Sequence, residues 1–181
     1  MKELQLDKIP SPIDDILIVV DEGKMCALDY IDYEARMMRL LERRYGPVRL
    51  IRVENPCGFS DRVRGYFAGE YQSLDAIPVS TGGTAFQQQV WLALRTIALG
   101  TTMTYGQLAA QLGKPKAYRA VGATNALNPI GIVLPCHRVI GTDASLTGYA
   151  GGLERKRWLL EHEIRLFKAY EQVVTQARER L

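Results

Sequence analysis

The chain has 181 residues, 47% of them apolar and 24% charged, which is the composition of an ordinary globular protein with one or two domains. No apolar run approaches the ~20 residues of a membrane-spanning helix, and the first residues lack the apolar core of an export signal, so we expect a cytoplasmic protein that does not contact membranes. Three cysteines without Cys-x-x-Cys spacing argue against both a disulfide framework and a structural zinc site.

The net charge of +3 is unevenly distributed along the chain. Residues 1–83 hold 11 Lys and Arg against 14 Asp and Glu, whereas residues 84–168 hold 10 against 4. The second half is therefore basic, as expected if it binds a polyanion, although solvated basic faces are also common.

The first half, residues 1–82, reads as a small α/β unit in which we find no catalytic constellation. Hydrophobic alternation and turn residues predict a hairpin, a helix, a strand and a second short helix, with Ser60 as the N-cap of that second helix. The predicted elements are strands Ile16–Val20 and Lys24–Asp29, a helix Tyr33–Tyr45, a strand Val48–Val53 and a helix that ends at Gly69. We expect this half to act as a scaffold.

The second domain, residues 83–168, is predicted to be mostly helical, and residues 169–181 to form a helical or frayed tail. Two capping boxes mark helix starts, Thr84 with Gln87 and Thr104 with Gln107. Helix, short glycine-containing turn, helix is the helix-turn-helix pattern, although spacing alone favours an αα-hairpin that packs a core. The predicted helices run from Thr84 to Gly100, from Thr104 to Leu112 and from about Lys116 to Leu127.

The third of these helices carries few long side chains. Tyr118 and Arg119 project from it, and the rest of its surface is small: Ala117, Ala120, Gly122, Ala123 and Ala126. A helix with ordinary side chains is about 10 Å across, and the DNA minor groove is about 6 Å wide. Small residues and a widened groove would both be needed for this helix to enter it, with Arg119 reaching the base stack or a phosphate.

The most unusual stretch is Pro135-Cys136-His137-Arg138-Val139-Ile140, which follows an apolar run over residues 130–134. Such a run predicts burial, which alone would raise the thiol pKa, whereas a neighbouring cation would favour the nucleophilic thiolate. Adjacent side chains of a strand point to opposite faces, so His137 can act on Cys136 only if the chain turns here or a water bridges them. The alternative is that Cys136 is a small buried hydrophobe, which is what we expect of Cys26 and Cys57.

A glycine-rich loop and a last helix complete the second domain. Residues 146–152 contain three glycines within five positions, which allows close approach of the backbone to a bound group, and they lack phosphate-loop spacing. The helix that begins near Leu153 carries Glu163, which could orient His137 and so favour the Cys136 thiolate. Taken alone, Glu163 is more often a solvated helix carboxylate.

The order and spacing of the motifs over roughly residues 80–165 resemble the methylated-DNA–protein-cysteine methyltransferases (O6-alkylguanine-DNA alkyltransferases). The block from Pro135 to Val139 is highly specific to that family. The other matching motifs are Phe86-Gln87 with Val90-Trp91, Tyr105 to Ala109, Arg119 to Gly122, Asn128-Pro129, Gly148 to Gly152, Lys156, Trp158 to Leu160 and His162-Glu163. The amino-terminal half resembles the bacterial constitutive form more loosely.

The resemblance implies an α+β fold, with a ribonuclease-H-like amino-terminal α/β domain and a winged-helix-like carboxy-terminal domain. It implies direct-reversal DNA repair without a cofactor or metal, in which O6-alkylguanine, and also O4-alkylthymine, is flipped from duplex DNA. The alkyl group passes irreversibly to the protein's own cysteine, so each molecule acts once. The implied partner is alkylated double-stranded DNA, and the implied protein is a monomer of the nucleoid-associated cytoplasm.

The resemblance also implies a role for individual residues. Cys136 would accept the alkyl group, His137 would act as base through a water, Glu163 would orient His137, and Tyr105 would donate a proton toward the departing guanine. Asn128 would brace the turn that holds the active-site segment, and Arg119 would fill the gap left by the flipped base. The base pocket would be lined by Val139, Tyr149 and Ala150, and the DNA-binding face would comprise Tyr118, Arg119, Ala120, Gly122 and Ala123.

Three positions depart from the family pattern. Ala98 and Gly131 stand where many relatives have proline, and Tyr118 stands where the helix is usually small. We expect Gly131 to loosen the pocket and admit bulkier alkyl groups.

Other functions fit parts of the sequence. A non-catalytic lesion sensor would explain the DNA-binding features, but the acceptor position of such relatives is not cysteine. A helix-turn-helix transcription regulator would not need the Cys-His pair, and a Cys-His hydrolase or acyltransferase would not need DNA.

Overall fold

The computed structural model describes residues 1–180 and opens with a four-stranded sheet. The strands are β1 (Lys2–Ile9), β2 (Ile16–Asp21), β3 (Lys24–Tyr30) and β4 (Val48–Arg52), in the spatial order β3-β2-β1-β4. Strand β1 pairs antiparallel with β2 and parallel with β4, and β2 pairs antiparallel with β3. The hairpin, the first helix and the later strand are thus confirmed, with a short 3₁₀ turn before helix α1 (Glu34–Tyr45).

Strand β1 lies inside the sheet, although its sequence pattern did not predict a strand. Its hydrophobic alternation is interrupted because Asp7 is buried among the apolar positions. The Asp7 carboxylate accepts hydrogen bonds from the Ser60 hydroxyl at 2.6 Å and the Asn55 backbone amide at 3.0 Å. The prediction that Ser60 is an N-cap is therefore wrong. Ser60 lies within helix α2 (Phe59–Ala68) and links that helix to β1.

The sheet is covered on both faces, which explains the continuous apolar run of β2. Leu17 and Val19 pack against Met37 and Leu41 of α1. The alternate residues, such as Ile18, face a larger core shared with the second half of the chain. A strand buried on both faces reads as uninterrupted hydrophobic sequence because neither face meets solvent.

The second half is mostly helical, as predicted. Its helices are α3 (Ala85–Ala93), α4 (Tyr105–Gln111), α5 (Tyr118–Ala126) and α6 (Leu153–Glu179). Both capping boxes are present: Thr84 accepts from the Gln87 amide at 3.2 Å, and Thr104 accepts from the Gln107 amide at 3.1 Å. Helix α3 passes into a 3₁₀ turn after Ala93 and stops short of the predicted Gly100. Two short parallel strands, β5 (Met103–Thr104) and β6 (Val139–Ile140), were not predicted.

The free edge of β3 joins the two halves of the chain. Leu28 donates its amide to the Pro129 carbonyl at 3.0 Å and accepts the Gly131 amide at 3.1 Å, so residues 129–131 extend the sheet beyond its edge strand. The Met25 amide makes the same kind of contact with the Pro78 carbonyl at 2.9 Å. Pairing with β3 thus fixes the start of the segment that leads to Cys136.

Helix α6 is long and continues well past the globular core. Its 27 residues extend through the tail to Glu179. Within residues 1–180, no helix combines the length and apolar character required to cross a membrane.

Candidate active site

The segment that contains Cys136 is a buried turn and not a strand. Residues Cys136–Arg138 form one 3₁₀ turn, and Cys136 and His137 are only 4% and 0% exposed. The apolar run before it is also irregular, because Ile132 adopts a φ of +68°. A β-branched residue in that region is strained and needs surrounding structure to hold it, and such strain clusters at functional sites. The turn that the Cys-His pair requires is therefore present.

His137 is oriented by a carboxylate, as expected. Its Nε2 lies 2.7 Å from Oε1 of Glu163, which is buried in α6. An ionised carboxylate can only accept, so Nε2 carries the hydrogen and Nδ1 presents a lone pair. Among the described residues, the buried Nδ1 has no hydrogen-bond partner. The imidazole is thus held in the tautomer that can take up a proton on the side away from Glu163.

Glu163 is held ionised despite its burial. Desolvation alone would raise its pKa, but His137 and Arg138 outweigh that effect and keep the pKa well below the usual range. Arg138 donates from Nε to Oε2 at 2.8 Å and from Nη2 to Oε1 at 3.0 Å. Its Nη1 donates to the Ile97 carbonyl at 2.6 Å. Arg138 therefore stabilises the Glu163 carboxylate. Although it is close to Cys136 in sequence, it is not the cation that acts on the Cys136 thiol.

Cys136 rests as a thiol. Burial raises the pKa of its thiol, and the Asn128 side chain, Lys156 and Arg36 only partly offset that rise. The sequence-based expectation that a nearby cation would leave a thiolate is wrong for the resting protein, because desolvation is the larger effect. Within the described part of the chain, the Nδ1 of His137 is the unpartnered basic atom in this turn.

Lys156 is a site residue to which the sequence analysis gave no role. Its side chain is fully buried, and Nζ donates to the carbonyls of Val139 at 2.6 Å and Thr147 at 2.8 Å. Burial lowers its pKa to about 8, against an opposing effect of Cys136. It ties the Cys136 segment to the glycine-rich loop. The family resemblance includes Lys156, but nothing in its sequence neighbourhood indicated a buried lysine, since it lies between two arginines on what reads as a solvated helix face.

Asparagine side chains brace the turn. Asn128 donates from Nδ2 to the Leu134 carbonyl at 2.8 Å and accepts the Ile130 amide at 3.0 Å, which closes the irregular apolar segment. Asn125, which was not predicted, donates to the Cys136 carbonyl at 3.3 Å. Asn125 lies in the last turn of α5 and Asn128 lies two residues beyond its end, so the predicted DNA-binding helix and the turn that holds Cys136 are linked directly.

The glycine-rich loop lies over the site. The Tyr105 hydroxyl donates to the Thr147 carbonyl at 3.2 Å, and the Tyr149 hydroxyl lies 3.0 Å from that of Tyr30. Gly151 is buried where any side chain would collide, since a Cβ would lie 2.4 Å from the Tyr30 ring and 2.6 Å from the Tyr149 ring. The predicted pocket residues Val139, Tyr149 and Ala150 are buried or half-buried around this loop.

Gly131 lies near that pocket. A Cβ there would lie 3.6 Å from the Leu28 carbonyl and 3.9 Å from the Tyr149 hydroxyl, so the position has room for a side chain. A proline would also lose the hydrogen bond from the Gly131 amide to Leu28. Comparing Gly131 with proline therefore tests the sheet-edge contact together with pocket width.

The predicted DNA-binding residues lie on one helix. Tyr118, Arg119, Ala120 and Ala123 are exposed on α5, and the Arg119 guanidinium lies 5.7 Å from the Tyr118 ring centroid. Gly122 is half-buried and faces Tyr105, whose ring would lie 3.7 Å from an added Cβ. The bare helix surface therefore has two faces, one open to solvent and one in contact with the site.

The amino-terminal half contributes to the site, although no residue of it was predicted to do so. The Tyr66 hydroxyl of α2 donates to Glu163 Oε1 at 2.8 Å. Arg36 of α1 pairs with Asp29 at 2.7 Å and donates to the carbonyls of Ala126 at 2.8 Å and Asn128 at 3.1 Å. This half is thus more than a remote scaffold.

Both halves of the chain are similar to one known protein family. The family model described as the 6-O-methylguanine DNA methyltransferase ribonuclease-like domain matches residues 6–81, and the one described as the DNA binding domain matches residues 85–165. A methylated-DNA–protein-cysteine methyltransferase of Shigella flexneri is 49% identical over 166 residues, which cover 90% of this chain and 97% of that protein. One of Mycobacterium tuberculosis is 50% identical over 129 residues, which cover 70% of this chain and 78% of its own length.

Solved structures agree with the sequence relatives. The crystal structure of the Mycobacterium tuberculosis O6-methylguanine methyltransferase has a TM-score of 0.74 at 37% identity, covering 91% of this chain and 94% of that one. A structure described as the same organism's enzyme in complex with DNA has a TM-score of 0.72 over the same shares at 37% identity. Both halves of the chain match in order, and the chain therefore belongs to the methylated-DNA–protein-cysteine methyltransferase family of enzymes, with a ribonuclease-like amino-terminal domain and a helical DNA-binding carboxy-terminal domain.

Proposed function

We propose that this protein repairs alkylated DNA by moving the alkyl group of O6-alkylguanine to Sγ of Cys136. The observation that carries the proposal is the buried arrangement of Cys136, His137 and Glu163, in which the histidine is fixed as a base. Sulfur then holds the alkyl group as a thioether, which has no leaving group that water can displace. Each molecule therefore acts once, and no cofactor is required.

Cys136, His137 and Tyr105 can supply and accept every proton that the transfer requires. The Cys136 thiol passes its proton through a bridging water to Nδ1 of His137, and Glu163 stabilises the imidazolium that forms. The thiolate attacks the alkyl carbon, the bond from that carbon to O6 breaks, and guanine leaves with the electron pair. Tyr105 donates a proton to the guanine, which stays in the DNA strand as the neutral base. The Tyr105 phenolate then regains a proton from water as the His137 imidazolium releases one. The Tyr105 hydroxyl, now bonded to the Thr147 carbonyl, is close enough to the loop to turn toward a bound base.

Because Cys136 is 4% exposed, a base paired within the duplex could not reach it. We infer that the target nucleotide is flipped out, which costs a few kcal/mol and less for a weakly paired damaged base. Helix α5 would enter a widened minor groove, with Arg119 occupying the gap and with Tyr118, Ala120, Gly122 and Ala123 beside the backbone. Val139, Tyr149 and Ala150 would line the pocket, and Asn128 would keep the turn closed beneath it.

Several finer features belong to the same proposal. O4-alkylthymine presents an alkyl group on a comparable exocyclic oxygen and is the second substrate that we propose. We further propose a monomer that needs no protein partner and that works on DNA in the nucleoid-associated cytoplasm, with residues 1–82, 83–168 and 169–181 as its domains and tail.

The deciding experiment is an intact-mass spectrum after incubation with excess duplex DNA that contains one O6-methylguanine. We expect a gain of one methyl group, about 14 Da, on the peptide that contains Cys136, and no gain in Cys136→Ser. Tight lesion-dependent binding without a mass change would instead indicate a lesion sensor. The absence of both binding and a mass change would refute the proposed function.

A further inference from the structure

The amino-terminal domain places one hydroxyl inside the reaction machinery. Tyr66 of α2 is 1% exposed, and its Oη lies 2.8 Å from Oε1 of Glu163. Burial and the adjacent carboxylate raise the pKa of this phenol well above its usual range, so it stays protonated. An ionised carboxylate can only accept, and Tyr66 is therefore the donor.

This donor competes with His137 for the same oxygen atom. Oε1 of Glu163 accepts from His137 at 2.7 Å, from Tyr66 at 2.8 Å and from Arg138 at 3.0 Å. Each added donor withdraws electron density from the carboxylate and makes it a weaker partner for the imidazolium. Tyr66 is not needed to hold the carboxylate in place, because Arg138 already binds both of its oxygens.

We propose that Tyr66 is a positioning residue that attenuates Glu163, so that the amino-terminal domain sets the pH at which Cys136 becomes reactive. The inference rests on the proposed alkyl transfer to Cys136. Tyr66 touches neither the thiol nor a bound base; it acts through Glu163 and His137.

The other charged and titratable groups around the relay are few. Glu163 is faced by Tyr66, His137 and Arg138. The groups that act on Cys136 are Lys156, Arg36, Tyr30 and Tyr149. His162, which neighbours Glu163 on α6, is directed at the Tyr66 carbonyl at 2.9 Å. Among the described residues, the Tyr66 hydroxyl forms a hydrogen bond with Glu163 and with none of the other groups.

The test is Tyr66→Phe, with single-turnover transfer rates from O6-methylguanine duplex measured across pH 5.5 to 9.5. Without the competing donor, Glu163 stabilises the imidazolium more strongly and the thiolate forms at lower pH. We expect the midpoint of the pH profile to fall by roughly half a pH unit or more, which corresponds to about a threefold higher thiolate fraction on the acidic side. The ultraviolet absorbance of the thiolate, taken as the difference from Cys136→Ser, should shift in parallel without any DNA.

Tyr45→Phe is the matched control. Tyr45 also lies in the amino-terminal domain with a buried hydroxyl, but that hydroxyl has no hydrogen-bond partner among the described residues. We expect its pH profile to be unchanged. In a Glu163→Gln background, Tyr66→Phe should cause no further shift, because the carboxylate through which it acts is gone. If Tyr66→Phe folds poorly, Tyr66→Met offers a second replacement that lacks the hydroxyl.

The results distinguish a failure of the proposed role of Tyr66 from a failure of the proposed alkyl transfer. An unchanged midpoint in Tyr66→Phe, or a rise, overturns the role of Tyr66 while the parent protein still gains its methyl group. A parent protein that gains no methyl group refutes the proposed function instead. A shift that persists in the Glu163→Gln background would mean that Tyr66 does not act through Glu163, and would also overturn the inference.

Discussion

Glu163→Gln should reveal how much the buried relay contributes to stability. The replacement keeps the shape of the side chain but removes a charge that Arg138 and His137 both contact, and Glu163 is only 1% exposed. Breaking a buried pair by neutralising one partner costs about 3–5 kcal/mol. Arg138 keeps its bond to the Ile97 carbonyl, so we expect a loss near the lower end, about 3 kcal/mol. A protein with 5–15 kcal/mol of stability would remain folded.

The lowered pKa of Glu163 also determines how the stability of the protein changes with pH. The pKa of Glu163 is lower in the folded state than in the unfolded chain, so the unfolded chain binds more protons as the pH falls. The stabilisation is therefore present above the unfolded pKa of about 4.3 and is lost as the pH drops below it. We expect the parent protein to lose stability on acidification from about pH 5, and Glu163→Gln to lose less.

Urea unfolding between pH 3.5 and 7, followed by circular dichroism, measures both effects. Glu161→Gln is the matched control, because Glu161 lies two positions earlier on the same helix and is exposed. We expect it to have stability close to that of the parent protein. If Glu163→Gln and Glu161→Gln unfold at the same urea concentration, and their stability changes equally with pH, then Glu163 is not ionised in the folded protein.

Three further predictions concern the turn, the loop and the helix. Asn128→Ala removes the bond to the Leu134 carbonyl and should lower stability by about 1–3 kcal/mol and slow transfer, as measured by urea unfolding and single-turnover kinetics. Lys156→Met should slow transfer by freeing the Thr147 carbonyl. The folded pKa of Lys156 is about 8, below its unfolded value, so parent stability should rise with pH above 8 and the variant should lack that rise in alkaline urea titrations. Arg119→Ala should weaken binding to lesion-containing and undamaged duplex and reduce the slope of log affinity against log salt by about one; an unchanged slope would exclude a phosphate contact.

Local signals in the sequence were enough for much of the fold. The capping boxes at Thr84 and Thr104 specify helix starts through contacts three residues apart, and both are present. The apolar run at Ile16–Val20 predicts a buried strand, and its side chains pack on both faces of the sheet. Strand β1 was missed because the buried Asp7 breaks its alternation, and two of the groups that donate to that carboxylate, Ser60 and Asn55, lie about 50 residues away along the chain.

For the candidate active site, too, the sequence predicted some features and the tertiary structure alone revealed others. The sequence by itself placed a thiol, an imidazole and a candidate carboxylate in one chain, and the Pro-Cys-His-Arg-Val block pointed to the family. Only the tertiary structure decided which partners they have. Glu163 receives three donors, one of them Tyr66 from the other domain, and Lys156 is buried against two carbonyls. Such contacts depend on desolvation and on groups distant along the chain, so the resting state of Cys136 could not be read from its neighbours in sequence.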